Sequence, residues 1–202
     1  MTEGDDVYED LTLTVTCWLS EPARIPAIAA WLKGRGKVTF ANRAGGFYYA
    51  RVSEQITFER ILRGNPHRSF TITFLCSPFW YLAGVEDIVI TEQGYVLSSP
   101  ASVFSEPIIT VEGIGEINLM VNDATVYLDD INGKITIDCE AGICYTVDGS
   151  GSRAFAGEHV SLEEGVWPRL LPAGSANLIT WATVGAGSAV NSVTIRPNWR
   201  FL

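Results

Sequence analysis

The chain contains two imidazoles, His67 and His159. Histidine is the side chain that most often does acid–base work and metal ligation near neutral pH. His67 heads an alternating stretch and His159 follows a Gly-Glu turn, so both read as ordinary strand-end residues. A zinc site on either would need cysteine or carboxylate ligands at short spacing, and none is visible. No Gly-x-Ser-x-Gly elbow occurs, so the usual sequence mark of an esterase is missing. Gly34-Arg35-Gly36-Lys37 suggests a phosphate loop, but Val38 stands where that loop needs Ser or Thr, and the glycine spacing differs. The run reads as a helix stop followed by a strand. Gly113-Ile114-Gly115 and Gly185-Ala186-Gly187 lack the third glycine of a dinucleotide loop and read as turns.

Asp129, Asp130, Asn132 and Asp138 form an acidic cluster. An EF-hand needs a glycine at its sixth loop position, which this spacing does not supply, so the cluster reads as a solvated hairpin tip. Carboxylate pairs for glycoside hydrolysis can lie far apart in a sequence, and nothing here singles one out. Cys139 and Cys144 flank Glu140-Ala-Gly-Ile143. If Ala141-Gly142 is a two-residue loop, the two cysteines face each other in a non-hydrogen-bonded pair, where side chains approach most closely. A reduced pair is the expectation, since nothing in the sequence signals export. The sequence therefore predicts no catalytic residue, no metal site and no cofactor.

Composition narrows the class. In 202 residues, 47% are hydrophobic and 18% charged, enough apolar material for a buried core and too much for a disordered chain. Four cysteines are too few for a disulfide scaffold. The longest uncharged stretch, residues 170–195, is broken by Pro172, Gly174, Asn177, Gly185, Gly187 and Asn191 and does not suit a transmembrane helix. The opening Met-Thr-Glu-Gly-Asp-Asp is not a signal sequence, so the chain reads as soluble and not exported through Sec. The net charge of −9 argues against nucleic-acid binding by the whole surface. It is unevenly spread: residues 24–68 carry +7 and the rest −16. A basic surface that meets an acidic one on another copy or a partner is the sharper reading, because such complementarity fixes register and orientation.

The elements that would hold these residues are mostly strands. Alternation predicts strands at 8–18, 37–42, 47–52, 55–62, 67–76 and 87–91, with Pro78-Phe-Trp-Tyr ending the fifth. One short helix is expected over 24–33, with Ile25, Ile28, Ala29 and Leu32 on its apolar stripe and Gly34 as its stop. Ser98-Ser-Pro-Ala-Ser102 is the only plausible linker, which places a domain boundary near residue 104. Beyond it, strands are expected at 107–111, 115–121, 124–129, 134–138, 143–148, 159–162, 178–183 and 190–196. Asn132-Gly133 is the strongest hairpin signal among them. That density of strands predicts a β-sandwich.

The order of certain segments resembles one family. Val7-Tyr-Glu-Asp10 with Leu11-Thr-Leu-Thr-Val15 opens the match. Trp31-Leu-Lys-Gly-Arg-Gly-Lys-Val38, Phe47-Tyr-Tyr-Ala-Arg-Val52 and Phe70-Thr-Ile-Thr-Phe-Leu-Cys-Ser-Pro-Phe-Trp-Tyr81 follow. Pro107-Ile-Ile-Thr-Val-Glu-Gly-Ile-Gly115, Ile135-Thr-Ile-Asp138 and residues 167–181 continue it to the C-terminal part. Together these runs are similar to the distal tail (Dit) proteins, siphovirus-type tail components of long-tailed phages and prophages. The resemblance implies a mainly β protein in two domains. Residues 1–104 would be a β-barrel-like, ring-forming domain carrying the helix, and residues 105–202 a galectin-like β-sandwich. It further implies a virion structural role as a baseplate hub without enzymatic activity, assembled in the bacterial host cytoplasm and located in the virion tail. The implied partners are further copies in a hexameric ring and other tail proteins. DNA would pass through the ring without being specifically bound, and no membrane is involved. Because the family usually carries further strands before the segment matching Tyr8, the ring domain is expected to lack its first strands.

Two sets of side chains are then candidates. Arg24, Arg35, Arg43, Arg51, Arg60 and Arg63 would supply the electrostatic contacts of the ring. Alternatively, a galectin-like sandwich could act as a carbohydrate-binding module, with Trp167, Trp181 and Trp199 as rings able to stack on sugars. Packing roles within strands are the simpler reading of Trp181 and Trp199.

Overall fold

Alternating apolar residues need a second apolar layer, and the chain supplies it twice. The computed structural model describes residues 8–61, 63, 64 and 66–202. Val7 and Leu62, which belong to the expected first segment and to the expected strand 55–62, lie outside them. Contacts divide the chain after Ala83 into two units, earlier than the expected boundary near 104. The reason is the pairing of residues 88–98, described below.

The N-terminal unit is an antiparallel sheet with one helix. Its elements are β1 (Leu11–Leu19), α1 (Ile25–Trp31), β2 (Arg35–Val38), β3 (Gly46–Val52), β4 (Glu59–Arg60) and β5 (Arg68–Leu82). The sheet order is β1-β5-β3-β2, with β4 also on β5. β5 is the long central strand, and it runs through Pro78-Phe-Trp-Tyr81 instead of stopping there. Pro78 lies between the two stretches of β5 that pair with β3, where that register shifts, so its missing N–H is tolerated. In α1, Ile25 and Ile28, with Leu32 just beyond, pack on Leu19, Phe70 and Ile72, as the expected stripe requires. Ala29 faces solvent, and Trp31 is 77% exposed. Gly34 stops the helix with a left-handed φ of 84°.

The second unit is an antiparallel β-sandwich. It contains β6 (Ile88–Ile90), β7 (Tyr95–Ser98), β8 (Ile108–Val121), β9 (Ala124–Asp138), β10 (Ile143–Val147), β11 (Arg153–Phe155), β12 (Val160–Leu162) and β13 (Ala176–Arg196). Three long strands form the frame in the order β9-β8-β13. The N-terminal part of β13 pairs with β7 and its C-terminal part with β6, so residues 88–98 belong to this unit. β9 likewise takes β12 along its first half and β10 along its second. The core is the inner face of the frame: Ile109, Val111, Ile117, Leu119, Val126, Ile137, Ile179 and Ile195 have no exposed surface.

Glycines at mid-length explain why one strand serves where two were expected. The Gly185–Gly187 run sits inside β13, where the register against β8 slips between Val184 and Ala189. Gly185 and Gly187 have φ of 79° and 93°, so the run forms a bulge, not a turn. Gly113 and Gly115 lie opposite within β8; a Cβ at Gly113 would meet the Ala189 carbonyl oxygen at 2.5 Å. Asn132-Gly133 likewise stays inside β9, paired to Ile114 and Gly113, which corrects the expected hairpin. The tight turn is Asn122-Asp123 instead, with Asn122 at φ 54° between paired Val121 and Ala124.

The cysteine hairpin differs in register. Asp138 pairs with Ile143, leaving Cys139–Gly142 as a four-residue loop. The Asp138 carbonyl accepts from Gly142 N–H at 2.9 Å, and its carboxylate accepts from Ala141 N–H at 3.0 Å. This local hydrogen bonding favours the longer loop, so Cys139 and Cys144 are not cross-strand partners. All four cysteines are free, and Cys76, Cys139 and Cys144 are buried. Burial pushes the Cys144 thiol up to about 11. It pushes Cys139 higher still, helped by the charges of Asp138, Cys144 and Glu106. Because the thiolate is the reactive form, titration with a disulfide reagent at pH 8 should label Cys17 first. The other three should react only on denaturation; rapid native labelling of Cys139 or Cys144 would contradict this.

Candidate assembly surface of the N-terminal unit

Antiparallel pairing puts directly opposed residues on one face of a sheet. Arg35 lies opposite Arg51, and Lys37 opposite Tyr49. Phe47 lies opposite Tyr81. One face of β2, β3 and the end of β5 thus gathers three cations and three aromatic rings. Phe47 stacks on Tyr81 with centroids 5.6 Å apart, and Tyr49 meets Tyr81 edge-on at 4.9 Å. Lys37 Nζ stands 4.2 Å from the Phe47 centroid, a cation–π contact. On the opposite face, Tyr48 and Trp80 are buried.

A second like-charged pair forms where Arg60 of β4 opposes Arg68 of β5. Like charges directly opposite each other destabilise a sheet. Arg35, Arg51, Arg60 and Arg63 are exposed and make no salt bridge among the described residues. An anionic partner would relieve that repulsion.

The other two candidates are engaged locally. Arg24 is bound to Glu21 at 2.8 Å. Arg43 is half-buried, donates to the Tyr48 hydroxyl at 2.6 Å and lies 5.1 Å over the Trp80 ring. Their charges serve the unit's own structure. Conversely, sequence inspection passed over Lys37, Phe47, Tyr49 and Tyr81. The odd-numbered alternation in 47–51 marks the face, but only the β2–β3 and β3–β5 registers bring these residues together.

The three tryptophans do not form one platform. Trp181 and Trp199 are 6% and 5% exposed, so neither ring can stack on a sugar from solvent. Trp167 is half-buried and forms a wall of two clefts in the second unit. Among the described residues, no group of three or more His, Cys, Asp or Glu side chains is placed to hold a metal ion. Among them too, no helix is long and apolar enough to cross a membrane.

No family model matches the chain, and no curated protein matches it. Solved structures do. One is the crystal structure of SPP1 Dit (gp 19.1), described as a paradigm of the hub adsorption apparatus in phages infecting Gram-positive bacteria. The match has a TM-score of 0.69 at 14% identity and covers 97% of this chain and 81% of that one. At that identity the likeness is one of fold, and it is the fold that the sequence resemblance implied.

Proposed function

We propose that the chain is a structural subunit of the tail tip of a long-tailed phage or prophage, a hub that joins the tail tube to the adsorption apparatus. The observation carrying this reading is the breadth of the backbone match, which takes in both units. A lone sandwich recurs with too many functions to carry it. The order of resembling segments along the sequence is a second support. In this reading the role is non-catalytic and the protein resides in the virion tail after assembly in the host cytoplasm. The N-terminal unit closes a hexameric ring, DNA passes through it without specific contacts, and the galectin-like C-terminal sandwich docks other tail proteins.

Ring contacts are heterologous, joining unlike surfaces of successive copies. The basic face around Arg35 and Arg51, with Arg60 and Arg63, meets acidic surface on the next copy. At low salt, size-exclusion chromatography with light scattering should report an assembly of several copies. It should dissociate near 1 M salt, where the screening length falls to about 3 Å. Arg35→Glu with Arg51→Glu should produce the same dissociation at low salt. A strict monomer at high concentration, or an assembly indifferent to salt and to the reversal, would sink the ring contact.

A further inference from the structure

The second unit holds a cleft of about 460 Å³ between the β8–β9 turn and the segment before β13. That volume lies within the range of small-molecule sites, about 300–1,000 Å³. Trp167 forms one wall, Val121, Val166 and Leu171 supply apolar floor, and Asp123, Glu163, Glu164 and Arg169 stand around it.

We infer that this cleft binds a neutral saccharide, stacked on the Trp167 indole and hydrogen-bonded through its hydroxyls to the surrounding carboxylates. Three chemical features select that ligand class. Carboxylates accept hydrogen bonds and donate none, so the rim calls for a ligand rich in donors. An indole face, negative in its quadrupole, suits a surface of C–H groups or a cation. Three carboxylates against one guanidinium repel an anion. A pyranose offers hydroxyl donors around its edge and C–H groups on its face, and it carries no charge.

The walls are also held in place before any ligand arrives. Leu170 exchanges two backbone hydrogen bonds with Ser105, each 2.8 Å, just past Trp167. Leu171 N–H donates to Asn177 Oδ1 at 2.6 Å. The Asn122 amide donates to the Arg169 carbonyl at 2.9 Å, tying the β8–β9 turn to the same segment. The Arg169 guanidinium sits 4.4 Å over the Phe104 ring, with Glu106 3.8 Å away. A site fixed in this way loses little entropy on binding.

The test uses the full chain. In nitrogen-15 spectra, the indole N–H signal that vanishes in Trp167→Phe identifies Trp167 in the wild type. Titration with glucose, galactose, N-acetylglucosamine and their oligosaccharides should shift that signal, and at least one sugar should still bind in about 0.5 M salt, where exposed charges are screened. Trp167→Ala should weaken this binding at least about tenfold. Glu164→Gln, on an exposed turn that leaves folding intact, should weaken it severalfold. Absence of binding across the panel overturns the inference, as does binding unchanged in Trp167→Ala. So does occupancy by an oligolysine peptide alone, lost in salt, since the cleft would then be a docking site for basic protein segments. None of these outcomes bears on ring assembly.

Discussion

Gly46→Ala is expected to destabilise the N-terminal unit by about 3 kcal/mol, at the upper end of overpacking effects. Gly46 opens β3, is buried, and pairs with Leu82 of β5. A Cβ there would fall 2.2 Å from Trp80 Cζ2 and 2.3 Å from the carbonyl oxygen of Tyr81. Neither neighbour can yield cheaply. The Tyr81 carbonyl is strand backbone, and the Trp80 ring is buried with Arg43 over it. β3 would have to draw away from β5, disturbing the Phe47–Tyr81 stack and the basic face with it. Hydrogen exchange of β3 and β5 amides should quicken by roughly two orders of magnitude, corresponding to that loss. Gly36→Ala is the control: nothing lies within 4 Å of its Cβ, and its φ is not left-handed. Unchanged exchange in Gly46→Ala would show that the close contact at the start of β3 is wrongly described.

The second large effect is expected in the other unit. Asn177→Ala should cost about 3 kcal/mol, because it strands buried polar groups as well as losing hydrogen bonds. Asn177 has no exposed surface. Its Oδ1 accepts from Leu171 N–H at 2.6 Å and from the Asn122 amide at 3.0 Å. Its own amide donates to the Leu97 and Leu171 carbonyls, each at 3.3 Å. One side chain thus ties β7, β13, the β8–β9 turn and the Trp167 segment. Asn177→Asp should also destabilise, since it places a charge where the Leu97 and Leu171 carbonyls would face another acceptor. Denaturant unfolding followed by β8 and β13 amide exchange measures both. A cost under about 1 kcal/mol for Asn177→Ala would mean that water replaces the amide and that the network is not the tie described here.

Much of the architecture could be read from local pattern. Alternation in 11–18 and 70–76 reports strands because a side-chain period of two is a property of the backbone itself. The stripe Ile25, Ile28, Leu32 and the stop at Gly34 report the helix for the same kind of reason. The segment order from Tyr8 to Trp181 implied the two-part fold. The uneven charge located the basic segment 24–68 within the N-terminal unit.

What the pattern could not supply was the partner of each residue. Asn132-Gly133 and Gly185–Gly187 have the conformational freedom of turns, but neighbouring strands continue past both: the first stays paired within β9, and the left-handed glycines of the second serve a bulge. A loop longer by two residues puts Ile137, and not Cys139, opposite Cys144. Long-range contact also decides which charges are spent. Arg43 is held by Tyr48 and Trp80, whereas Arg35 is left facing Arg51. Burial of Trp181 and Trp199, the half-buried place of Trp167 beside its carboxylates, and the role of Asn177 follow from segments far apart in the chain. Composition and periodicity therefore settled that this is a mainly β protein with a basic segment at 24–68 and no visible catalytic constellation. Which residues meet to form its surfaces was settled only by strand register, because register is fixed by packing across the whole sheet and not by any local signal.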